Sequence, residues 1–147
     1  RFLKRLREIL GAGSGLLIGV DLKKDLSVLH SAYNDEKGVT AEFNLNLLSR
    51  INRELGADFD LSGFRHEAVY SDDPGRIEMR LVSEKKQSVS VAGKSFSFDI
   101  DEFIHTENSH KYSIAEFRTL CATASFTPVA SWTDSNSLFS VQYFTAE

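Results

Sequence analysis

The run Leu16-Leu17-Ile18-Gly19-Val20 limits what this chain can become more than any other stretch. An apolar run without alternation predicts a strand buried on both faces, the habit of parallel sheets. Asp21 closes it at the carboxyl end. Before it stands a glycine-rich turn, Gly11-Ala12-Gly13-Ser14-Gly15, and before that an amphipathic helix with apolar residues at 2, 3, 6, 9 and 10. Helix, tight turn, buried strand and terminal acid form a slice of a doubly wound α/β fold. The glycines do not make a dinucleotide loop, because that fingerprint follows its strand and these precede theirs. The helix is already under way at Arg1, with no methionine and no cap. The chain is therefore expected to be cut from something longer.

After Asp21 the grammar changes. Residues 26–33 carry a short helical pattern, and residues 34–38 break it. Thr40 is expected to cap a longer helix with apolar positions at Phe43, Leu47, Leu48, Ile51 and Leu55, ended by Gly56. Leu61 and Phe64 read as anchors in the loop that follows. Residues 65–71 and 76–83 read as strands around a turn at 72–75, and residues 88–91 and 96–98 alternate around a second turn at 92–94. Residues 25–110 thus predict an α+β block: two helices, then an antiparallel meander. Residues 104–112 are expected to be a polar loop, held between a strand and a helix that opens on the capping box Ser113-Ile114-Ala115-Glu116. That helix and two last strands, 127–133 and 138–144, return to the α/β pattern.

A formal net charge of -4 argues against a general nucleic-acid or anionic-membrane surface. No apolar run approaches the roughly 20 residues of a membrane span. Cys121 is the only cysteine, so no intrachain disulfide can form. That fits a reducing interior and a cytoplasmic location. Its place in the last helical pattern marks a buried small hydrophobe instead of a nucleophile. His105 and Glu107 copy the local spacing of a zinc deaminase, but no Pro-Cys-x-x-Cys partner exists, and no metal site is expected.

Six short motifs occur in order over nearly the whole chain: residues 16–25, Ala32-Tyr33-Asn34-Asp35, Phe43-Asn44-Leu45-Asn46, Asn52-Arg53-Glu54-Leu55, Ile77-Glu78-Met79 and His105-Thr106-Glu107-Asn108-Ser109. In these the chain resembles the carboxyl-terminal half of the histidine-specific, S-adenosylmethionine-dependent methyltransferases of ergothioneine biosynthesis. The resemblance implies the end of a Rossmann-like methyltransferase sheet, residues 1–24 and 111–147, interrupted by a substrate-binding domain, residues 25–110. It implies three methyl transfers to the α-amine of L-histidine, giving hercynine. It also implies a histidine pocket in which Tyr33, Met79, Glu107 and Ser109 touch the substrate. The S-adenosylmethionine site is expected upstream of Arg1, so this piece alone is expected to be inactive. Sheet edges left open by the cut are expected to pair, giving a homo-oligomer.

The chemistry suits those residue types. A carboxylate such as Glu107 accepts the ring N–H and favours an imidazolium, while the Ser109 hydroxyl can donate or accept at the other nitrogen. Two apart in an extended segment, they project to the same side. Tyr33 offers a phenol to the amino-acid end, and Met79 a soft apolar wall. Two alternatives stay open: a relative that methylates another amino acid or amine, and a non-catalytic α+β ligand-binding module.

Overall fold

The computed structural model describes all 147 residues as a mixed α/β protein of four helices and eight strands. The first half contains helix α1 (Phe2–Leu10), strand β1 (Gly15–Asp21), helices α2 (Leu26–Tyr33) and α3 (Val39–Leu55), and strands β2 (Phe64–Ser71) and β3 (Arg76–Ser83). A single 3-10 turn, Leu61–Gly63, leads into β2. The second half contains β4 (Gln87–Val91), β5 (Lys94–Phe98), β6 (Phe103–His110), α4 (Ile114–Ala122), β7 (Phe126–Thr133) and β8 (Phe139–Ala146). The chain divides into two compact units, Arg1–Lys24 with His110–Glu147, and Asp25–Ser109.

In the first unit β8 lies in the middle of a three-stranded sheet, with β1 and β7 antiparallel on either side. Its inner face buries Val20, Phe126, Phe144 and Ala146 against Phe117, Cys121 and Ala124, with Leu3, Leu10, Leu16 and Ile18 packed around them. The sequence predicted β1 as an interior strand of a parallel sheet, buried on both faces. Here its strand neighbour is the antiparallel β8, and Leu17 is 64% exposed. The cause lies in the outward positions, where Gly15 and Gly19 make room for aromatic rings. A Cβ on Gly15 would meet the Tyr143 ring, and one on Gly19 would sit 2.7 Å from the Phe139 ring. The unbroken apolar run therefore serves one packed face and one outer face, on which Leu17 stays exposed between glycines that lie beside aromatic rings. At its end, Asp21 receives hydrogen bonds from Lys24 and from the fully buried Lys111. Ser113 and Glu116 form the predicted capping box at the start of α4.

In the second unit β3 is the central strand of a three-stranded sheet, with β2 on one side and β6 on the other. Ser83 N donates to Glu102 O and Thr106 Oγ1 to Met79 O, so β6 runs antiparallel to β3. Helix α3 packs Leu48 onto Phe59, Phe64, Leu81 and Val89, while Leu29 of α2 packs onto Ala68, Ile77 and Met79.

Three expectations fail here. The strands do not form one meander: β4 and β5 make a separate two-stranded ribbon, and β6 takes the place beside β3. Gln87 explains the departure, since its Nε2 bonds the Gly63 carbonyl and Ser83 Oγ and turns the chain away after β3. Residues 104–112 are not a loop, since Phe103–His110 is strand; the edge pairs through its backbone whatever its side chains are. Thr40 does not cap α3. Gly38 holds the cap position in the left-handed region, and the Asp35 carboxylate accepts from Val39 N and Thr40 N.

Candidate functional site

The segment Tyr33-Asn34-Asp35 joins α2 to α3, and each residue has a separate task. Asp35 caps α3, and the backbone N–H of Thr40 leads the contacts that hold its carboxyl down at about 2. The Asn34 amide brackets Ala68, donating to its carbonyl at 3.0 Å and accepting from its N–H at 2.9 Å. This gives the edge strand β2 a substitute partner and fixes the end of α2 to it. Tyr33, held between these anchors, brings its phenol oxygen 2.8 Å from Ser109 Oγ.

The sites predicted from sequence thus fall into two groups. Tyr33 and Ser109 are in direct contact. Met79 is 3% exposed and packs in the cluster that Tyr33 covers, so it forms the floor under the tyrosine and not an open wall. Ile77 shares that inward face, while Glu78 points the other way between Arg80 and Arg76, whose hydrogen bonds hold its carboxyl at about 2.

Glu107 lies in a cleft of about 210 Å³, lined also by Phe43, Asn44, Asn46, Leu47, Arg50 and Thr106. Its carboxylate has no hydrogen-bond or ion-pair partner in the chain, while Arg50, on the opposite wall, is engaged by Glu54. Phe43 is 68% exposed. The sequence placed it in the buried stripe of α3, and here it is a cleft residue. One sign was available: the apolar residues of α3 exceed a single stripe. Leu48 is buried and Leu45 and Ile51 pack beside it, leaving Phe43 and Leu47, four apart, on another face.

The arrangement offers an acidic group beside an aromatic ring and, two residues along the same strand, a paired set of hydroxyls. A carboxylate and a π face both suit a flat cationic or N–H-bearing ring. No group of three or more His, Cys, Asp or Glu side chains is placed to hold a metal, and the His105 ring bonds the Glu107 carbonyl. Burial pushes the Cys121 thiol up to about 11, which removes it as a nucleophile. No helix is long and apolar enough to cross a membrane.

The glycine-rich turn joins α1 to β1, with Gly15 the first residue of the strand, so it leads into a strand and does not leave one for a helix. Asp21, the acid at the end of β1, is taken by two lysines. Burial opposes its ionisation, but hydrogen bonds and charge from Lys111 and Lys24 outweigh that and hold its carboxyl below the usual range.

The chain is 42% identical over 135 residues to a histidine N-alpha-methyltransferase of Mycolicibacterium smegmatis, covering 90% of this chain and 42% of that protein. It is 40% identical over 136 residues to the enzyme of that name from Mycobacterium tuberculosis, covering 91% of this chain and 42% of the relative. It is 33% identical over 138 residues to ergothioneine biosynthesis protein 1 of Neurospora crassa, covering 92% of this chain and 15% of the relative. The chain thus spans well under half the length of each. The family pattern of the histidine-specific, SAM-dependent methyltransferases matches residues 1–146, and the chain belongs to that family.

Proposed function

We propose that this chain supplies the substrate side of an enzyme that transfers methyl groups from S-adenosylmethionine to the α-amine of L-histidine, giving hercynine. The observation that carries the reading is the partnerless Glu107 carboxylate in the cleft with the Phe43 ring. In this reading Glu107 accepts the imidazole N–H, Phe43 covers the ring, and Ser109 meets the second ring nitrogen. Tyr33 presents its phenol to the amino-acid end, and Met79 supports it from below. The chain's own contribution is orientation and exclusion of water, which hold the amine lone pair in line for attack.

The unit Asp25–Ser109 is then the substrate-binding insertion, and the unit Arg1–Lys24 with His110–Glu147 the last part of a Rossmann-like sheet. The central antiparallel β8 supports that assignment. The S-adenosylmethionine site is assigned to the rest of a family-length protein, because the glycine-rich turn here leads into β1 and not out of it. A family-length protein carrying these residues should therefore convert histidine to N-methylated products with S-adenosylmethionine, while the 147 residues alone should bind the cosubstrate negligibly. Mass spectrometry of the products and calorimetry on the shorter chain check both. Methylation of another amino acid in preference to histidine would overturn the substrate assignment, and micromolar cosubstrate binding by the short chain would overturn the division of labour.

A further inference from the structure

The carbonyl of Tyr33 belongs to the last turn of α2, where helical carbonyls lack partners within the helix. His66 of β2 supplies one: its Nε2 lies 2.8 Å from Tyr33 O. A carbonyl only accepts, so Nε2 carries the hydrogen. The other ring nitrogen, Nδ1, lies 2.9 Å from Asn44 Nδ2. That amide nitrogen also donates to the Arg80 carbonyl at 3.1 Å. Turning the amide over would set oxygen against the Arg80 carbonyl, so Asn44 must present N–H to His66, and Nδ1 must accept. The three contacts admit one form of the ring, neutral with its hydrogen on Nε2. Asn44 is 3% exposed, so its orientation is set by the packed unit and not by solvent.

His66 and Ala68 are two apart on one face of β2, and each holds one residue of the α2 terminus: His66 holds Tyr33, and Ala68 holds Asn34. Asn34 alone would keep the helix end against the strand. His66 adds something different, because a bond to the Tyr33 carbonyl fixes the peptide plane from which the phenol projects toward Ser109. We propose that His66, locked in its Nε2–H form by Asn44, is a positioning residue that sets the Tyr33 phenol for the substrate. The proposal rests on the reading of Tyr33 as a substrate-binding residue, but its first test does not.

The test follows the isotope-labelled ring of Tyr33 by NMR, assigned with Tyr33→Phe, and in parallel the affinity for histidine of a family-length protein. His66→Leu is expected to shift or broaden the Tyr33 signal and to raise the histidine dissociation constant about threefold to tenfold, the worth of one neutral hydrogen bond. The KM for histidine should rise with kcat nearly unchanged. His66→Gln keeps a donor near the Nε2 position and should restore most of both readouts. If the leucine variant does not fold, His66→Asn, polar but too short to reach the Tyr33 carbonyl, replaces it with the same expectation. A Tyr33 signal that stays put in a folded variant overturns the proposal, as does a glutamine variant no better than leucine. Should the parent protein bind no histidine while the Tyr33 signal still responds, the substrate reading fails and the positioning role stands.

Discussion

Within the chain the Tyr33 and Ser109 hydroxyls lie 2.8 Å apart, so each would meet a ligand while already hydrogen-bonded to the other. The net gain from Ser109 is therefore small. Ser109→Ala in a family-length protein should weaken histidine binding by about 0.5–1.5 kcal/mol, the range for a neutral hydrogen bond. Tyr33→Phe should weaken binding of histidine and of other amino acids alike, because the phenol is assigned to the end they share. Titration of histidine and one apolar aromatic amino acid into both variants checks this. Selective loss of histidine in Tyr33→Phe would move the phenol to the ring end of the pocket.

Helix α3 carries two apolar stripes with opposite duties. Leu48 is fully buried in the core of its unit, whereas Phe43 stands in the cleft. Leu48→Ala should cost about 2–5 kcal/mol of stability, the range for a large-to-small core change. Phe43→Ala should leave the melting transition nearly in place and weaken histidine binding. Thermal melts beside calorimetry separate the two, and a large loss of stability in Phe43→Ala would return it to the core stripe where the sequence placed it. Local signals of this kind were legible: the Ser113 capping box, the Gly56 stop and the hairpin turns all depend on residues a few positions apart. What was not legible depended on distant partners or on competition between neighbours. Residues 103–110 look like a polar loop because strand pairing with β3 runs through the backbone and leaves no mark on the side chains. Thr40 looks like a cap by residue type and place, but Asp35, five residues earlier, accepts from the Val39 and Thr40 amides and starts the helix sooner. Glu107 and Ser109 were found through resemblance, and their separate surroundings became visible only in the fold.

Across the whole molecule, carboxylates carry much of the polar order. Asp35, Asp60, Glu78 and Glu116 are all held at about 2, led respectively by bonds from Thr40 N–H, Lys85, Arg80 and Lys23. A folded-state pKa below the unfolded value means that the unfolded chain binds more protons in between. Stability from these groups is thus complete above the ordinary carboxylate range and falls as pH drops from about 4 toward 2. Urea midpoints measured between pH 6 and pH 2 (roughly the span over which these groups titrate) should show that decline, and a flat profile would remove the carboxylates from the account. The sheet of the first unit exposes Leu17, Trp132 and Phe139 on its outer side and leaves β1 and β7 as edges. We expect the 147-residue chain to self-associate through that sheet, because open edges and apolar faces recruit partners. Light scattering should show a dimer or larger species that Trp132→Glu with Leu17→Glu returns to monomer; a monomer at high concentration would contradict this.

The substrate reading depends most on Glu107. Calorimetric titration of histidine into a family-length protein, with and without Glu107→Ala, measures its role directly. Loss of a charge-assisted bond should raise the dissociation constant about tenfold to a hundredfold, with the melting temperature unchanged and with less preference for histidine over an apolar aromatic amino acid. An unchanged histidine affinity in a folded Glu107→Ala protein would contradict the assignment and make Glu107 a solvated surface carboxylate.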